Sequence, residues 1–294
     1  MGKILNFGEF NNWLSPGPGP NGRALVIGVL NTTPDSFSDG GQFPTPEAAA
    51  DFAVQMGADG ADWIDIGGES TRPGSQPVST DEQIRRVLPV IQLLRRRSPI
   101  LISIDTTSSV VAQAALEGGA NVINDISAGR DDPQMFALAA RRQAPIILMH
   151  RLGTSADMQV NPVYQNVTRE VSQFLSQRRD EAVRAGIIPT RILLDPGIGF
   201  GKTVSHNLQL LRDTSILARL GHPLVVGPSR KWFIGQITGQ PKPEDRLFGT
   251  ATAVALAIAN GAAAVRVHDV GPIAQVVRMA RAISTGKTPE FLKE

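Results

Sequence analysis

Eight times along this chain a short apolar, β-branched run breaks off in polar or glycine residues, and a helix-like stretch follows. The runs are Ala24–Asn31, Ala61–Gly68, Pro99–Thr106, Ala120–Ile126, Ala144–His150, Arg191–Gly197, His222–Ser229 and Ala262–Asp269. Most are continuously hydrophobic rather than alternating, which suits parallel strands covered on both faces. Thr45 before Pro46 predicts an N-cap with proline in the first turn, and Gly57 is expected to close that helix. Ser79 and Glu82 have the spacing of a capping box ahead of Ile84, Val87, Leu88 and Ile91. Gly118, Gly221 and Gly261 stand where a helix should stop and a strand begin. Eight strand–helix units predict a single (β/α)8 TIM barrel over residues 24–285, with its active site at the C-terminal ends of the strands. An open doubly wound sheet would want a glycine-rich turn after the first strand, and that loop reads Asn31-Thr32-Thr33-Pro34-Asp35 instead. The segment Ser15-Pro16-Gly17-Pro18-Gly19-Pro20 sets residues 1–23 apart as an N-terminal leader, and residues 286–294 form a tail.

Composition narrows the class. The 294 residues carry 29 basic and 27 acidic side chains, a net charge of +2, which is not a nucleic-acid footprint. At 41% hydrophobic the chain can fill one large core. The runs Arg95-Arg96-Arg97 and Arg141-Arg142 fall on predicted helix ends and read as a solvated face. With no cysteine there is no disulfide, thiolate metal site or cysteine nucleophile. The start lacks the regions of a secretory signal, and Ala251–Ala259 is too short to span a bilayer, so a cytoplasmic protein without membrane contact is expected.

The chemistry sits where the runs end. Asn31, Asp65, Asp105, Asn124, His150, Asp195, Ser229 with Lys231, and Arg266 with His268 all lie at or just past predicted strand C-termini. One polar residue there is usually a cap or turn former. Caps would be mostly Ser, Thr, Asp and Asn, and would not account for Lys231, Arg266 and His268.

These residues fall in longer motifs. Asn31-Thr32-Thr33-Pro34-Asp35-Ser36-Phe37-Ser38-Asp39-Gly40-Gly41 closely resembles the first-loop signature of dihydropteroate synthases, and Asp65-Ile66-Gly67-Gly68-Glu69-Ser70-Thr71-Arg72-Pro73-Gly74 resembles the second. Further matches are Ile104-Asp105-Thr106, Asn124-Asp125-Ile126, Leu148-Met149-His150, Asp195-Pro196-Gly197-Ile198-Gly199-Phe200-Gly201-Lys202, Ser229-Arg230-Lys231 and Arg266-Val267-His268-Asp269. The likeness runs from about residue 24 to 285, one motif per strand. It implies condensation of 6-hydroxymethyl-7,8-dihydropterin pyrophosphate with p-aminobenzoate, giving 7,8-dihydropteroate and pyrophosphate.

By that resemblance Asp195 accepts the pterin's amino-pyrimidine edge, Asn124 and Asp105 complete a polar ring, Lys231 reaches the carbonyl side and Met149 is an apolar wall. Arg266 and His268, two apart on the last strand, face one way and suit the pyrophosphate, with Asn31 and Thr71 beside them. Asn31 is implied to help hold Mg2+, a hard ion for which one amide is a poor site alone. Phe37, Thr71, Arg72, Pro73 and Phe200 would frame p-aminobenzoate, its carboxylate meeting the helix that opens after Ser229. There Trp232 stands where some members of the family have a small hydroxyl residue, so only its backbone N–H is available.

With no thiol, no Ser-His-Asp order and no HExxH, covalent catalysis and zinc hydrolysis have no support. The aniline nucleophile is neutral at pH 7, so an SN1-like displacement is expected. Asp105 and Asp39 would stabilise the developing cation, while Arg266, His268 and Lys231 act on the leaving side and the ring. Loops one and two read as lids, which predicts ordered binding with the pterin first. Sulfonamides, as p-aminobenzoate mimics, should compete. Rival readings are a corrinoid-type pterin-binding methyltransferase domain, a silent pterin-binding paralogue, and a Schiff-base aldolase on Lys231. The last is disfavoured because a helix-opening lysine is expected to be poorly desolvated. The family forms homodimers. The apolar helices Ala251–Ala259 and Ile273–Ile283 could form the interface, although barrel packing explains them equally.

Overall fold

The structure, a computed structural model, describes residues 6–14, 24–32, 45–70, 78–153 and 161–287. Its strands are β1 (Leu25–Asn31), β2 (Trp63–Gly67), β3 (Leu101–Asp105), β4 (Val122–Asp125), β5 (Ile146–Met149), β6 (Ile192–Asp195), β7 (Val225–Val226) and β8 (Ala264–Val267). All pair in parallel in the order β6-β5-β4-β3-β2-β1-β8-β7, and a parallel bridge between Leu194 and Leu224 joins the two ends. The sheet is therefore a closed barrel, as the eight-fold repeat predicts. A shell of helices surrounds it, among them α2 (Pro46–Asp59), α3 (Thr80–Arg97), α4 (Ser109–Gly118), α5 (Gln134–Arg142), α6 (Val167–Arg184), α7 (Val204–Arg212) and α8 (Thr214–Ala218). After β7 come α9 (Trp232–Thr238) and α10 (Leu247–Ala259), and α11 (Val270–Thr285) follows β8.

Because side chains alternate along a strand, every second residue points into the barrel. The inward set is apolar at the N-terminal end, where Leu25, Ile27, Trp63, Leu101, Val122, Ile147, Leu193, Val225 and Ala264 form one buried cluster. Two to four residues later on the same strands the inward positions become Asp65, Ser103, Asp105, Asn124 and Asp195. That switch along each strand places the site at one end of the barrel.

The other end is closed by the leader. Its residues Phe7–Leu14 form helix α1, opened by a reciprocal pair in which Glu9 N–H donates to Asn6 Oδ1 and Asn6 N–H to Glu9 Oε2. Phe10, Trp13 and Leu14 are buried with the barrel-floor cluster. The Phe10 ring stacks on Trp13 at 5.7 Å and meets Trp63 edge-on at 5.2 Å. Phe10→Ala is expected to cost about 3–5 kcal/mol of stability, the usual price for emptying a buried aromatic site. It should leave kcat nearly unchanged, because the plug lies at the far end from the polar rim. Urea titration and steady-state rates measured on the same preparation check both halves.

Several local expectations need correction. Thr45 caps α2 through the Ala48 N–H, but the helix runs past Gly57 and is closed by Gly60 at φ 113°. Gly57 lies inside the helix, where an added Cβ would sit 3.1 Å from Ile100, so its smallness serves packing. Ser79 accepts from Glu82 N–H, but the Glu82 carboxylate turns to Arg85 and Arg86 and the box is half-formed. The left-handed cap of α4 is Gly119 rather than Gly118. Arg95 is no solvated residue. It donates to the carbonyls of Gly119 and Ile100 and to Asn121 Oδ1, tying the end of α3 to the starts of β3 and β4.

Candidate active site

At the polar end one pocket is lined by Asp105, Asn124, Ile126, Met149, Asp195, Gly197, Ile198, Phe200, Gly227, Lys231 and Arg266. Strand register explains the gathering. Asp105 pairs with Asn124 across β3 and β4, Met149 with Asp195 across β5 and β6, and Asp65 lies beside Ser103. Arg266 starts lower, level with Ile27, and its long side chain extends to the carboxylates. Its Nε donates to Asp65 Oδ2 at 2.5 Å and its Nη2 to Asp105 Oδ2 at 2.7 Å. The other Asp105 oxygen, Oδ1, is buried with no partner among the described residues. A buried acceptor in that state costs free energy that an incoming N–H donor would recover.

Loop geometry shapes the walls. Gly197 has φ 67°, and a Cβ there would fall 1.8 Å from the His150 carbonyl oxygen, so only glycine fits. This turn lets Gly197 N–H donate to Asp195 Oδ1 at 2.6 Å. Ile126, Met149 and Phe200 form a small apolar cluster, and Lys231 Nζ stands 4.0 Å from the Phe200 ring centroid. Behind this wall lies Lys202, 1% exposed, its ammonium 2.9 Å from Phe200 O, 3.0 Å from His150 Nδ1 and 3.4 Å from His150 O. These contacts link the loops after β5 and β6, and burial brings Lys202 down to about 7.

Burial sets the charges. Asp105 is lifted well above the usual carboxylate range by burial, with Arg266 pulling against it and Asp65 pushing the same way. Asp195 is pushed up to about 6 by burial, against the Gly197 N–H and Lys231. Burial and the neighbouring Arg266 bring Lys231 down to about 8. Lys231 is half-buried, so it is less hydrated than expected of a lysine that opens a helix. Burial also opposes the Arg266 charge, but Asp65 and Asp105 outweigh it and hold the guanidinium firmly protonated. His268 is brought down to about 3 by burial and by Arg266, Arg230 and Lys231. At pH 7 it therefore serves as a neutral hydrogen-bonding group beside the Arg266 cation. Its Nδ1 lies 3.0 Å from Ser229 Oγ, which also accepts the His268 backbone N–H.

The whole arrangement has close parallels. Residues 27–268 match the family described as pterin binding enzyme. A Synechocystis dihydropteroate synthase is 50% identical over 261 residues, covering 89% of this chain and 90% of that one. One from Streptococcus pyogenes is 48% identical over 250 residues, 85% and 91% of the two chains. The chain belongs to the dihydropteroate synthase family. The Xanthomonas albilineans dihydropteroate synthase solved with 4-aminobenzoic acid is similar in structure as well, with TM-score 0.84 and 42% identity over 91% of this chain and 94% of that one. The Yersinia pestis dihydropteroate synthase in a sulfonamide drug complex gives 0.85 and 40% over 90% and 95%.

Of the residues singled out for a synthase site, Asp105, Asn124, Met149, Asp195, Phe200, Lys231 and Arg266 line the one pocket. His268 is outside that lining, two residues beyond Arg266, with its Nδ1 on Ser229. Asn31 ends β1, in register with Gly67, which in turn is level with Asp105. Trp232 opens α9 and is 57% exposed, outside the pocket lining, and no side chain caps that helix. Phe37, Asp39, Thr71, Arg72 and Pro73 lie outside the described residues. Two residues were given no role from sequence. Asp65 was visible as a polar strand end and the first letter of the second-loop motif, and Lys202 as the last letter of a motif; their partners come from four other elements.

A dihydropteroate synthase that uses ionised Asp195 to grip a pterin should bind it more weakly in acid. Affinity for a pterin without diphosphate is expected to fall by up to about tenfold per unit as pH drops below 6. Calorimetry between pH 4.5 and 8 measures it. A flat profile would show that Asp195 protonation does not control binding.

Proposed function

We propose that this chain joins p-aminobenzoate to 6-hydroxymethyl-7,8-dihydropterin pyrophosphate, releasing 7,8-dihydropteroate and pyrophosphate. The observation that carries the reading is the convergence of acceptors (Asp105, Asn124 and Asp195) and cations (Lys231 and Arg266) on one pocket. A pterin edge presents N–H donors to the first set, and its carbonyl accepts from Lys231. Met149 and Phe200 cover the ring faces. A Xanthomonas relative solved with 7,8-dihydropteroate, 40% identical at TM-score 0.81, supports this product, and the family's folate role fits a cytoplasmic transferase rather than a methyltransferase or a silent paralogue.

The amine of p-aminobenzoate needs no base at neutral pH, so the protein's task is to stabilise charge separation. As the C–O bond to diphosphate breaks, negative charge grows on the leaving group and positive charge on the pterin methylene. Arg266 donates through Nη1, which makes no hydrogen bond among the described residues, and His268 donates as a neutral imidazole. Asp105, with Asp39 of the first loop, balances the cation. Asn31 supplies one oxygen donor, and among the described residues no three His, Cys, Asp or Glu side chains gather as a metal site. That donor set fits a Mg2+ ion carried in with the diphosphate, where it would neutralise phosphate charge. Phe37, Thr71, Arg72, Pro73 and Phe200 frame p-aminobenzoate, its carboxylate toward the backbone N–H of Trp232, since the Lys231 N–H already donates to Pro228 O; the pterin substrate binds first. Incubation with both substrates and Mg2+ tests the whole reading. Dihydropteroate and pyrophosphate should appear in equal amounts, and bound pterin without product would leave only a binding protein.

The same reading includes a homodimer. Phe248 and Leu256 on α10 and Met279 and Ile283 on the neighbouring α11 are 56–86% exposed, an apolar strip that a monomer would leave in water. No described helix is long and apolar enough to cross a membrane. Light scattering should give twice the chain mass, and Phe248→Glu with Ile283→Glu should halve it. An unchanged mass in the double variant would move the interface elsewhere.

A further inference from the structure

We propose that Asp65 is a positioning residue that aims both halves of the site, Asn124 toward the pterin and Arg266 toward the diphosphate, through a single carboxylate oxygen. The inference rests on the reading above and adds a residue that lies outside the pocket lining. Asp65 is 1% exposed on β2. Its Oδ1 accepts the Ser103 hydroxyl, and its Oδ2 accepts Asn124 Nδ2 at 3.0 Å and Arg266 Nε at 2.5 Å.

The consequences are geometric. An amide facing a carboxylate must present its NH2 end, because the carbonyl end would set two acceptors against each other. Asn124 is therefore locked with Oδ1 turned away from Asp65, and its pocket contribution is an acceptor, matching the unpaired Asp105 Oδ1. Without Asp65 no other side-chain hydrogen bond among the described residues fixes that choice, and the flipped amide would offer a donor where the ring also offers one. The guanidinium is held in the same way. With Nε on Asp65 and Nη2 on Asp105, its plane is fixed and the Nη1 edge is left for substrate. One oxygen on β2 thus sets groups on β4 and β8.

Two probes separate the arms: 6-hydroxymethylpterin, which lacks the diphosphate, and inorganic pyrophosphate with Mg2+. Asp65→Ala is expected to weaken both by about tenfold or more, from loss of one charge-assisted bond in each arm. Asn124→Ala should weaken mainly the pterin and Arg266→Ala mainly pyrophosphate. Asp65→Asn should recover most of both losses. Its amide oxygen can still accept from Asn124 and Arg266, while its NH2 donates to a Ser103 hydroxyl rotated to accept. Should the alanine variant fail to fold, Asp65→Ser serves, its single oxygen too short to reach either partner. The proposal is overturned if the alanine or serine variant keeps either affinity while folded, or if Asp65→Asn is as impaired as they are. Failure of the unsubstituted protein to bind pterin at all would instead strike the functional reading.

Discussion

Arg266→Ala is expected to lower kcat/KM by about 100- to 1,000-fold, roughly 3–4 kcal/mol of transition-state stabilisation, the scale of removing one preorganised charge donor from a buried site. Two losses combine. The diphosphate loses the free Nη1 edge, and Asp65 and Asp105 lose the cation that joins them. Two buried carboxylates without their partner are costly, so stability should fall by about 3–5 kcal/mol as well. Asp105, already lifted by burial, would take up a proton more readily and stop balancing the pterin cation. Arg266→Lys separates charge from geometry. An ammonium is a point donor that cannot span Asp65 and Asp105 while also presenting an edge to substrate, so it should recover stability more than rate. Steady-state kinetics with urea titration of the three proteins checks this. Near-normal turnover in Arg266→Ala would remove Arg266 from the reaction.

Asp195→Asn is the second large effect, about 10- to 150-fold in kcat/KM and seen mainly in KM for the pterin substrate. Hydrogen bonds to a charged group contribute roughly 1.5–3 kcal/mol, and the amide replaces one acceptor with a donor that faces the ring's own N–H groups. The Gly197 turn survives, because the amide oxygen still accepts its N–H. Stability moves the other way. Asp195 has a folded value of about 6 against the usual 3.8, so its ionised form is disfavoured by folding. Its contribution is fullest below the unfolded value and is lost as pH rises through about 6. The asparagine variant, which does not titrate, should therefore gain stability relative to the parent from pH 4 to above 6 and keep a constant lead beyond. Thermal unfolding across that range reads the difference, and a lead that shrank with pH would contradict the buried-carboxylate account. Weak pterin binding in an unimpaired, more stable protein would mark Asp195 as a recognition residue.

Much of this was legible without coordinates because a parallel barrel is a local code repeated. Each apolar run of about the right length makes a strand, its polar end makes a rim, and closure follows from having eight of them. Asp105, Asn124, Asp195, Lys231 and Arg266 could be named because each belongs to a motif at a strand end. Boundary details were less legible. Gly57 looks like a stop, yet the helix runs past it to Asp59, because a glycine chosen for close packing and one chosen for a left-handed turn are the same letter; Gly118 does end its helix, with Gly119 as the left-handed cap.

The chain by itself determined the barrel, the end that carries the chemistry, the family, and most of the residues that line the pocket. Tertiary structure decided the rest: that Asp65 bonds Ser103, Asn124 and Arg266, that Lys202 ties two loops, that Arg95 is a staple, that His268 is neutral, and that residues 7–14 plug the floor. The physical reason is range. Strand and helix signals act over a few neighbouring residues, whereas these pairings join positions as many as 201 apart in sequence, and the charge states depend on how completely folding removes water around them.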